Sequence, residues 1–295
     1  MTRILDGWRS RVSLLVLGVL GAGWLGWPIW SSFTAPDRDA LEAEAPFLLA
    51  AVVGLLGVLT TSIWLDAGRR AAVFGPILLV AAVDVVFRLV LSPGGAGIEP
   101  VYALPLLAGV ALGAPAGFLT GAVAALSSSV ALGLVDTPLV GQILVWGLWG
   151  AVGGILRGLR PTAAWLTAAV VALPLGLVTG LALNITGWTG ERDAITGGFL
   201  PGLPPLDALQ RLIDYTLATS LAFDLTRAVV NALIVSIIGL PVLRALRQIS
   251  GARLAVASGP SEPPPPAVAP AAVRRRRRSD QLHNLWTSST PTQEM

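Results

Sequence analysis

Long apolar stretches fill most of this chain, and each is about as long as a bilayer is thick. Roughly twenty apolar residues let a helix cross the hydrocarbon core, where only helices and closed barrels satisfy their backbone. The pattern predicts eight spans, at 12–31, 47–65, 71–91, 101–113, 115–133, 140–156, 162–185 and 215–243. The expected fold class is therefore an all-α integral membrane protein, a helical bundle of about eight transmembrane helices.

Arginines occupy every second connection between these stretches. They are Arg3, Arg9, Arg11, Arg69, Arg70, Arg157, Arg160, Arg244, Arg247 and Arg253. The alternate connections are acidic or neutral, and their acids are Asp37, Asp39, Glu42, Glu44, Glu99 and Asp136. Because short cytoplasmic loops carry the basic excess, the asymmetry predicts a multi-pass protein of the plasma membrane with both termini in the cytoplasm.

The composition excludes several classes of protein. Hydrophobic residues make up 54% of the chain and charged residues only 13%, which is too apolar for a soluble globule of this length. The net charge of +3 depends on a run of five arginines at 274–278. The membrane body is therefore near neutral, and no nucleic-acid partner is expected.

Reactive residue types are nearly absent. The sequence contains no cysteine and no lysine, and its single histidine is His283, near the C-terminus. A P-loop and Schiff-base chemistry both need lysine, and transition-metal sites favour histidine or cysteine. We therefore expect no ATPase activity, metal site, cofactor or enzymatic function in this chain.

The sequence divides into three regions. Residues 1–66 are predicted to form an N-terminal transmembrane hairpin, 67–250 a six-helix core, and the Pro- and Arg-rich 251–295 a disordered cytoplasmic tail. Within the core, 186–214 is a predicted outer loop, which is either a functional lid or a tolerated insertion.

The short span at 101–113 is predicted either to tilt or to form a tight hairpin with the next span through Ala114 and Pro115. Glycines recur at four-residue spacing in this hairpin, at Gly109, Gly113, Gly117 and Gly121. Small residues at that spacing let helix backbones approach closely. We interpret these glycines as packing residues.

Two acid–arginine pairs fall inside predicted spans, where charged groups are costly and often functional. Asp84 and Arg88 are four residues apart, and Asp224 and Arg227 are three apart. Each pair therefore shares one helix face. In the second pair, Asp224 and Arg227, the acid is predicted to lie about 13 Å inside its span at about 1.5 Å per residue. The pairs form either the polar wall of an outward-facing cavity, as a four-charge network, or two self-neutralised structural pairs.

Two parts of the chain carry a pattern of small and aromatic residues. The first is GIEPVYALPLLAGVALGAPAGFLTGAVAALSSSVALG at 97–133, followed by QILVWGLWGAVGGILRG at 142–158. The second is YTLATSLAFDLTRAVVNALIVSIIGLPVLRALR at 215–247. Both parts resemble the substrate-binding subunits of energy-coupling-factor (ECF) vitamin transporters, in an actinobacterial branch with extra N-terminal helices. The chain departs from the branch at 135–138 and 186–188, both on the predicted outer face.

The resemblance implies a six-helix core with a high-affinity, outward-open site for a vitamin or similar micronutrient. It also implies partners, namely a transmembrane coupling subunit, contacted through Ala71 and Gly75, and two cytoplasmic ATPases. The substrate-binding residues expected on this basis are Asp84, Arg88, Gln142, Trp146, Asn184, Trp188, Asp224, Arg227 and Asn231. Trp146 and Trp188 are expected to stack on a flat ring, which favours an aromatic or heterocyclic ligand.

Other functions fit the same residues. A proton-coupled secondary transporter would use Asp84 or Asp224 as its proton site, and it would stop when the proton gradient is collapsed. An ECF subunit would instead need its ATPase partners for uptake. A membrane enzyme acting on lipids and a scaffold protein without transport activity are further alternatives.

Overall fold

A computed structural model describes residues 6–30, 38–91, 98–135, 138–192, 195–257 and 282–283. Every regular element within these ranges is helical, which confirms the all-α class. The α-helices are α1 (Trp8–Trp30), α2 (Arg38–Asp66), α3 (Phe74–Leu91), α4 (Ala103–Leu112), α5 (Ala114–Leu132), α6 (Pro138–Ile155), α7 (Pro161–Trp188), α8 (Pro205–Thr219) and α9 (Leu221–Ala257). Short 3-10 turns lie at Ala71–Val73, Pro100–Tyr102 and Leu156–Gly158.

The helical body ends at Ala257, and the chain beyond it forms a separate unit. The first residues of the predicted tail, 251–257, therefore belong to α9. Only 282–283 are described in the second unit, so the predicted disorder and the arginine run at 274–278 lie outside the described residues.

Six of the described helical segments are long and apolar enough to cross a membrane. They are Pro46–Asp66, Ala71–Leu91, Ala114–Leu132, Pro138–Gly158, Pro161–Trp188 and Leu221–Ser250. Helix α4 has ten residues, which makes it about 15 Å long, too short to cross a core of about 30 Å. Length and composition thus support a multi-pass membrane protein, whereas a count of eight spans is not established.

Helices α1 and α2 lie antiparallel. The backbone N–H of Ser10 donates to Asp66 Oδ2 at 2.8 Å, and the hydroxyl oxygens of Ser13 and Ser62 are 2.7 Å apart. The start of α1 therefore meets the end of α2, while the division into an N-terminal hairpin and a core stays a prediction.

Helix α4 is central to the core. All ten of its residues are buried, and it packs against α5, α6 and α9. It is linked to α5 by Gly113 alone, whose φ of +107° favours glycine. Ala114 and Pro115, predicted as the link, are instead the first residues of α5. Proline suits that first turn because its missing N–H would have no intrahelical partner there.

Glycines bring α4, α5 and α6 into backbone contact. A Cβ on Gly109 or Gly117 would collide with the carbonyl of Gly150. A Cβ on Gly153 would collide with the carbonyl of Leu106. The predicted packing role of the glycines is confirmed, because no side chain fits at these crossings.

The segment that leads into the last helix differs from the prediction. Helix α7 continues to Trp188 and α8 occupies Pro205–Thr219, so much of the predicted loop at 186–214 is helical. The predicted span at 215–243 is broken at Ser220, whose φ of −124° and ψ of −6° are not helical. The break is hidden in the sequence because Thr216–Phe223 contains no charge, proline or glycine to mark it.

The two ends of the bundle differ in charge. At the basic end, the start of α1 meets the end of α6, where Asp6 accepts from Arg11 at 2.8 Å and lies 3.4 Å from Arg157 Nη1. The polar end gathers the last turns of α3, α5 and α7 with the first turns of α4, α6 and α9. The predicted topology would place the basic end in the cytoplasm.

Candidate functional site

Polar side chains from several helices meet at the polar end in two hydrogen-bonded groups. The Arg88 group consists of Arg88, Ser128, Ser129 and Gln142. The Arg227 group consists of Glu99, Asp224, Arg227 and Asn231. The structure thus brings together most of the residues that the sequence predicts for the site.

Arg88 reaches from the last turns of α3 to both α5 and α6. Its Nη1 donates to the hydroxyls of Ser128 at 2.9 Å and Ser129 at 2.7 Å. Its Nη2 donates to Gln142 Oε1 at 2.9 Å. The Ser128 hydroxyl itself donates to the carbonyl of Ala124 at 2.6 Å, which leaves its lone pairs for the guanidinium. Hydrogen bonds from a charged donor are strong, so this group ties three helices together.

Arg227 is the centre of the second group. Its Nε donates to Glu99 Oε2 at 2.8 Å, and its Nη1 donates to Asp224 Oδ1. The Arg227 and Asp224 side chains are only 9% and 3% exposed, so water screens their attraction little. The predicted depth of Asp224 is wrong, because α9 begins at Leu221 and places this acid in its first turn.

Asn231 ties α9 to the chain that enters α4. Its Nδ2 donates to the carbonyls of Glu99 at 2.7 Å and Arg227 at 2.9 Å. Its Oδ1 accepts from the backbone N–H of Tyr102 at 3.2 Å. Asn231 is fully buried, and it holds the backbone of Glu99 where the carboxylate can meet Arg227.

An aromatic bridge of Tyr102 and Trp146 joins the two groups. The ring centroids are 5.6 Å apart and the planes meet at 65°, an edge-to-face arrangement. Arg88 lies 5.2 Å from the centroid of Trp146, and Arg227 lies 6.0 Å from that of Tyr102. Each guanidinium therefore makes a cation–π contact with one end of the bridge. The ring of Trp149 also packs on Tyr102, at 5.1 Å.

Asp84 does not make the predicted pair with Arg88. Both of its carboxylate oxygens are buried and have no hydrogen-bond partner, while Arg88 extends toward α5 and α6. The predicted four-charge network is also wrong, because the acids bonded to Arg227 are Asp224 and Glu99. Arg88 differs from the prediction because α5 and α6 provide side-chain oxygens that accept its hydrogen bonds. The sequence of α3 alone does not reveal these acceptors.

Asn184 supports the Arg227 group from α7. Its Nδ2 donates to Ser220 Oγ at 2.8 Å, and Ser220 in turn donates to Asp224 Oδ2 at 2.7 Å. Gly180 leaves room for this carboxylate, because a Cβ there would collide with it. Asn184 is thus brought to the site, where it orients Asp224 through Ser220.

Trp188 lies in a different cluster from Trp146. Its ring packs edge-to-face on Phe199 at 5.1 Å, and its Nε1 donates to the carbonyl of Gly197 at 2.9 Å. The cluster comprises Ile185, Trp188, Phe199, Ala208 and Leu212. The structure therefore does not bring the two predicted stacking tryptophans together, and Trp188 anchors the segment that leads into α8.

Ala71 and Gly75 lie where the chain enters α3, away from the polar end. Ala71 is exposed and Gly75 is half-buried. The exposed side of α3 continues with Leu78, Leu79, Val83, Val86 and Val90. The predicted contact of Ala71 and Gly75 with a coupling subunit stays a prediction.

Glu99, Tyr102 and Ser220 are site residues that the sequence analysis missed. Glu99 was considered only as an acid of an outer connection. Its neighbours in the sequence are apolar, and an acid carried into apolar surroundings needs a cation, which was the available signal. Ser220 precedes a helix, where serine is a favoured cap, but the apolar run concealed that helix start.

The arrangement offers cations, amides, hydroxyls and ring faces. Among the residues that the structure describes, no group of three or more His, Cys, Asp or Glu could hold a metal ion. In α8, outside the spanning helices, burial and the nearby negative charge of Glu191 raise the pKa of the Tyr215 phenol, which therefore stays neutral. Groups of these kinds bind and orient a solute by hydrogen bonding and stacking.

No protein-family model, curated protein or solved structure matches this chain. The resemblance to ECF substrate-binding subunits therefore depends on the sequence segments at 97–158 and 215–247. The polar end itself gathers buried and half-buried polar groups from five α-helices, which are α3, α5, α6, α7 and α9, and from the Pro100–Tyr102 turn.

Proposed function

We propose that this chain is the substrate-capture membrane subunit of an ECF-type ABC importer for a vitamin or similar micronutrient, with ATP hydrolysed by partner subunits. The observation that carries the proposal is the gathering of buried polar and aromatic groups at one end of an apolar bundle. Such groups are costly within a membrane protein and are usually retained for binding or transport. The absence of lysine, which a P-loop requires, fits a subunit that depends on separate ATPases.

The aromatic bridge suits a ligand with a flat ring. Trp146 and Tyr102 are 3% and 2% exposed, so the bridge must open before a ligand enters. An inserted ring would exchange the contact between Tyr102 and Trp146 for stacking on both. The guanidiniums of Arg88 and Arg227 would then donate to acidic or carbonyl groups of the ligand. We therefore expect a heterocycle that carries hydrogen-bond acceptors.

Helix α8 is joined directly to the Arg227 group. It packs on α7 through the buried side chains of Ala208 and Leu212. It joins α9 through Ser220, whose hydroxyl donates to Asp224. Loops and short helices that close over a ligand are a common means of enclosing it, and a rotation at Ser220 would both lift α8 and release the Asp224 carboxylate.

Mass spectrometry of metabolites that co-purify with the chain in mild detergent tests capture. The expected result is a bound heterocyclic micronutrient. Isolation from cells that express the partners should also recover a coupling subunit and two ATPases. A chain that carries no small molecule, and binds none from a vitamin panel, would contradict capture. A bound solute without ATPase partners would contradict the assembly alone.

A pair of tryptophan variants tests the position of the ligand. Trp146→Ala should weaken binding of the co-purified solute by roughly tenfold or more, because it removes one ring of the bridge. The matched control is Trp165→Ala, since Trp165 joins α7 to α9 through a 2.8 Å hydrogen bond to the carbonyl of Val235. Equal losses in both variants would indicate a folding effect and would count against the bridge as the binding site.

A proton-coupled secondary transporter is the second candidate, and the state of Asp84 favours it. A buried acid without a hydrogen-bond partner is typical of a group that exchanges protons. Uptake by purified chain in liposomes, driven by an imposed pH gradient without ATPases, would support this candidate. Uptake that persists after collapse of the proton gradient and requires ATP would support the ECF subunit.

A further inference from the structure

The two carboxylate oxygens of Asp84 are the only buried side-chain polar atoms without a hydrogen-bond partner in the part of the chain that the structure describes. The residue is 0% exposed and lies within the spanning segment Ala71–Leu91. An ionised carboxylate without hydrogen bonds is strongly disfavoured in such surroundings, whereas a neutral carboxylic acid is tolerated. The geometry therefore favours the acid form of Asp84.

Among the described residues, few ionisable groups lie on the elements packed against α3. Helices α4 and α5 and the turn Ala71–Val73 contain none. The Pro100–Tyr102 turn contains Tyr102, with Glu99 beside it. Helix α9 also contacts α3, and it carries Arg244, Arg247 and Arg253 toward its end and Asp224 and Arg227 near its start. These last two are bonded to each other, and Arg88 is the charged residue one turn along α3 from Asp84.

Asp224 differs from Asp84 in its hydrogen-bond partners. It accepts from both Arg227 and Ser220. Of the two intramembrane acids that the sequence places in similar pairs, only Asp84 has no donor. The difference assigns the proton to α3.

We propose that Asp84 binds a proton while the polar end is closed, as in this structure, and releases it when that end opens. On opening, the O–H bond of the acid breaks, the proton passes to entering water, and the carboxylate pairs with the guanidinium of Arg88, which stays charged throughout. One proton is released per opening. The inference rests on the proposed function only in taking the polar end as the region that opens.

The four-residue spacing makes this exchange of partners local. Side chains at i and i+4 face each other on a helix, so Arg88 reaches Asp84 by a change of rotamer. In doing so it leaves the hydroxyls of Ser128 and Ser129 and the amide of Gln142. The Ser128 hydroxyl keeps the carbonyl of Ala124 as a partner within α5, and the Ser129 hydroxyl keeps Gln142 Oε1 at 3.4 Å.

Infrared difference spectroscopy tests the protonation state directly. The spectrum of the parent protein minus that of Asp84→Asn at neutral pH should contain the C=O band of a protonated carboxylic acid, which shifts in D2O. The antisymmetric band of a carboxylate in its place would overturn the proposal. Asp84→Ser, measured in the same way, keeps the test decisive if the asparagine variant does not fold. Neither measurement requires a known solute.

Thiol labelling tests the link to opening. Because the chain has no cysteine, Ala103→Cys introduces a single thiol at a position that is 0% exposed at the polar end. Its maleimide labelling rate, divided by that of the exposed Thr219→Cys, reports opening and corrects for thiol ionisation. The ratio should rise with pH by up to about tenfold per unit, and Asp84→Asn should make it independent of pH and low. A ratio that rises equally in both backgrounds would overturn the proton link. Labelling addresses opening alone, so it separates this proposal from the failure of solute capture.

Discussion

The acid–arginine pairs of α3 and α9 share a sequence pattern and differ in structure. In α9, Asp224 and Arg227 form a buried ion pair. In α3, Asp84 has no hydrogen-bond partner, and Arg88 is bonded to hydroxyl and amide oxygens of α5 and α6. Spacing places two residues on one helix face, but the neighbouring helices decide whether those residues bond to each other.

Position within the helix accounts for much of the difference. Asp224 lies in the first turn of α9, where the helix dipole favours negative charge and Ser220 supplies a donor. Asp84 lies in the middle of α3, where the backbone N–H groups are already bonded. The surroundings of the α9 pair therefore stabilise charge, whereas the Asp84 carboxyl in α3 has no hydrogen-bond donor.

Removal of each arginine is the strongest test of this comparison. Arg227→Met leaves Asp224 buried without its cation and should reduce the free energy of unfolding by about 3–5 kcal/mol. Arg88→Met removes the hydrogen bonds to the hydroxyls of Ser128 and Ser129 and to Gln142. These three partners carry no charge, so the loss should cost about 1–2 kcal/mol. Denaturant unfolding in detergent would measure both.

The control for the arginine test is a second substitution at the acid. Adding Asp224→Asn to Arg227→Met should recover part of the lost stability, because it removes the isolated charge. Adding Asp84→Asn to Arg88→Met should recover little. Equal losses for the two arginines would mean that the buried ion pair is not what distinguishes α9.

The amide side chains of the two groups should differ in the same direction as the arginines, with the larger loss of stability in the Arg227 group. Asn231→Leu leaves the N–H of Tyr102 and the carbonyl of Glu99 without their buried partner and should cost about 2 kcal/mol. Gln142→Leu, at a half-buried position, should cost less than about 1 kcal/mol. Denaturant unfolding of both variants under the same conditions tests this prediction. A larger loss of stability in Gln142→Leu than in Asn231→Leu would contradict it.

The sequence predicts the helical class and most of the site because both depend on local pattern. Apolar length predicts the spans, and charge within them singles out Asp84, Arg88, Asp224 and Arg227. The break at Ser220 was not predictable from hydropathy, since the residues on either side of it include no charge, proline or glycine. The pairing of Arg227 with Glu99 joins residues 128 positions apart, and no local pattern reports such a contact.

A glycine in α7 tests how closely the α9 pair is fitted to its neighbour. Gly180→Ala places a methyl group against the Asp224 carboxylate and should cost about 1–2 kcal/mol through overpacking. Gly187→Ala on the same helix meets nothing within 4 Å and should be neutral or slightly stabilising, because alanine is the better helix former. Thermal unfolding measures both variants. Equal stability would contradict the close contact between Gly180 and the Asp224 carboxylate.

The ion pairs at the basic end provide a partly exposed counterpart with a smaller effect. Asp6 accepts from Arg11 at 2.8 Å and lies 3.4 Å from Arg157. The hydrogen bond from Arg11, together with the charges of both arginines, holds the pKa of Asp6 below its usual value, against an opposing contribution from burial. The Arg11 side chain is 64% exposed, so Asp6→Asn should cost less than about 1 kcal/mol at neutral pH.

The sign of the pH dependence follows from this lowered pKa. Asp6 binds its proton less readily in the folded protein than in the unfolded chain, so its ionised form stabilises the fold above the unfolded pKa of 3.8. The stability difference between the parent protein and Asp6→Asn should be constant near neutral pH and should disappear as the pH falls through the folded pKa of Asp6. When both proteins also carry Arg11→Gln, most of this stability difference should be lost at every pH. A difference that grows on acidification would mean that burial, which raises the pKa of Asp6, outweighs the two arginines at the basic end.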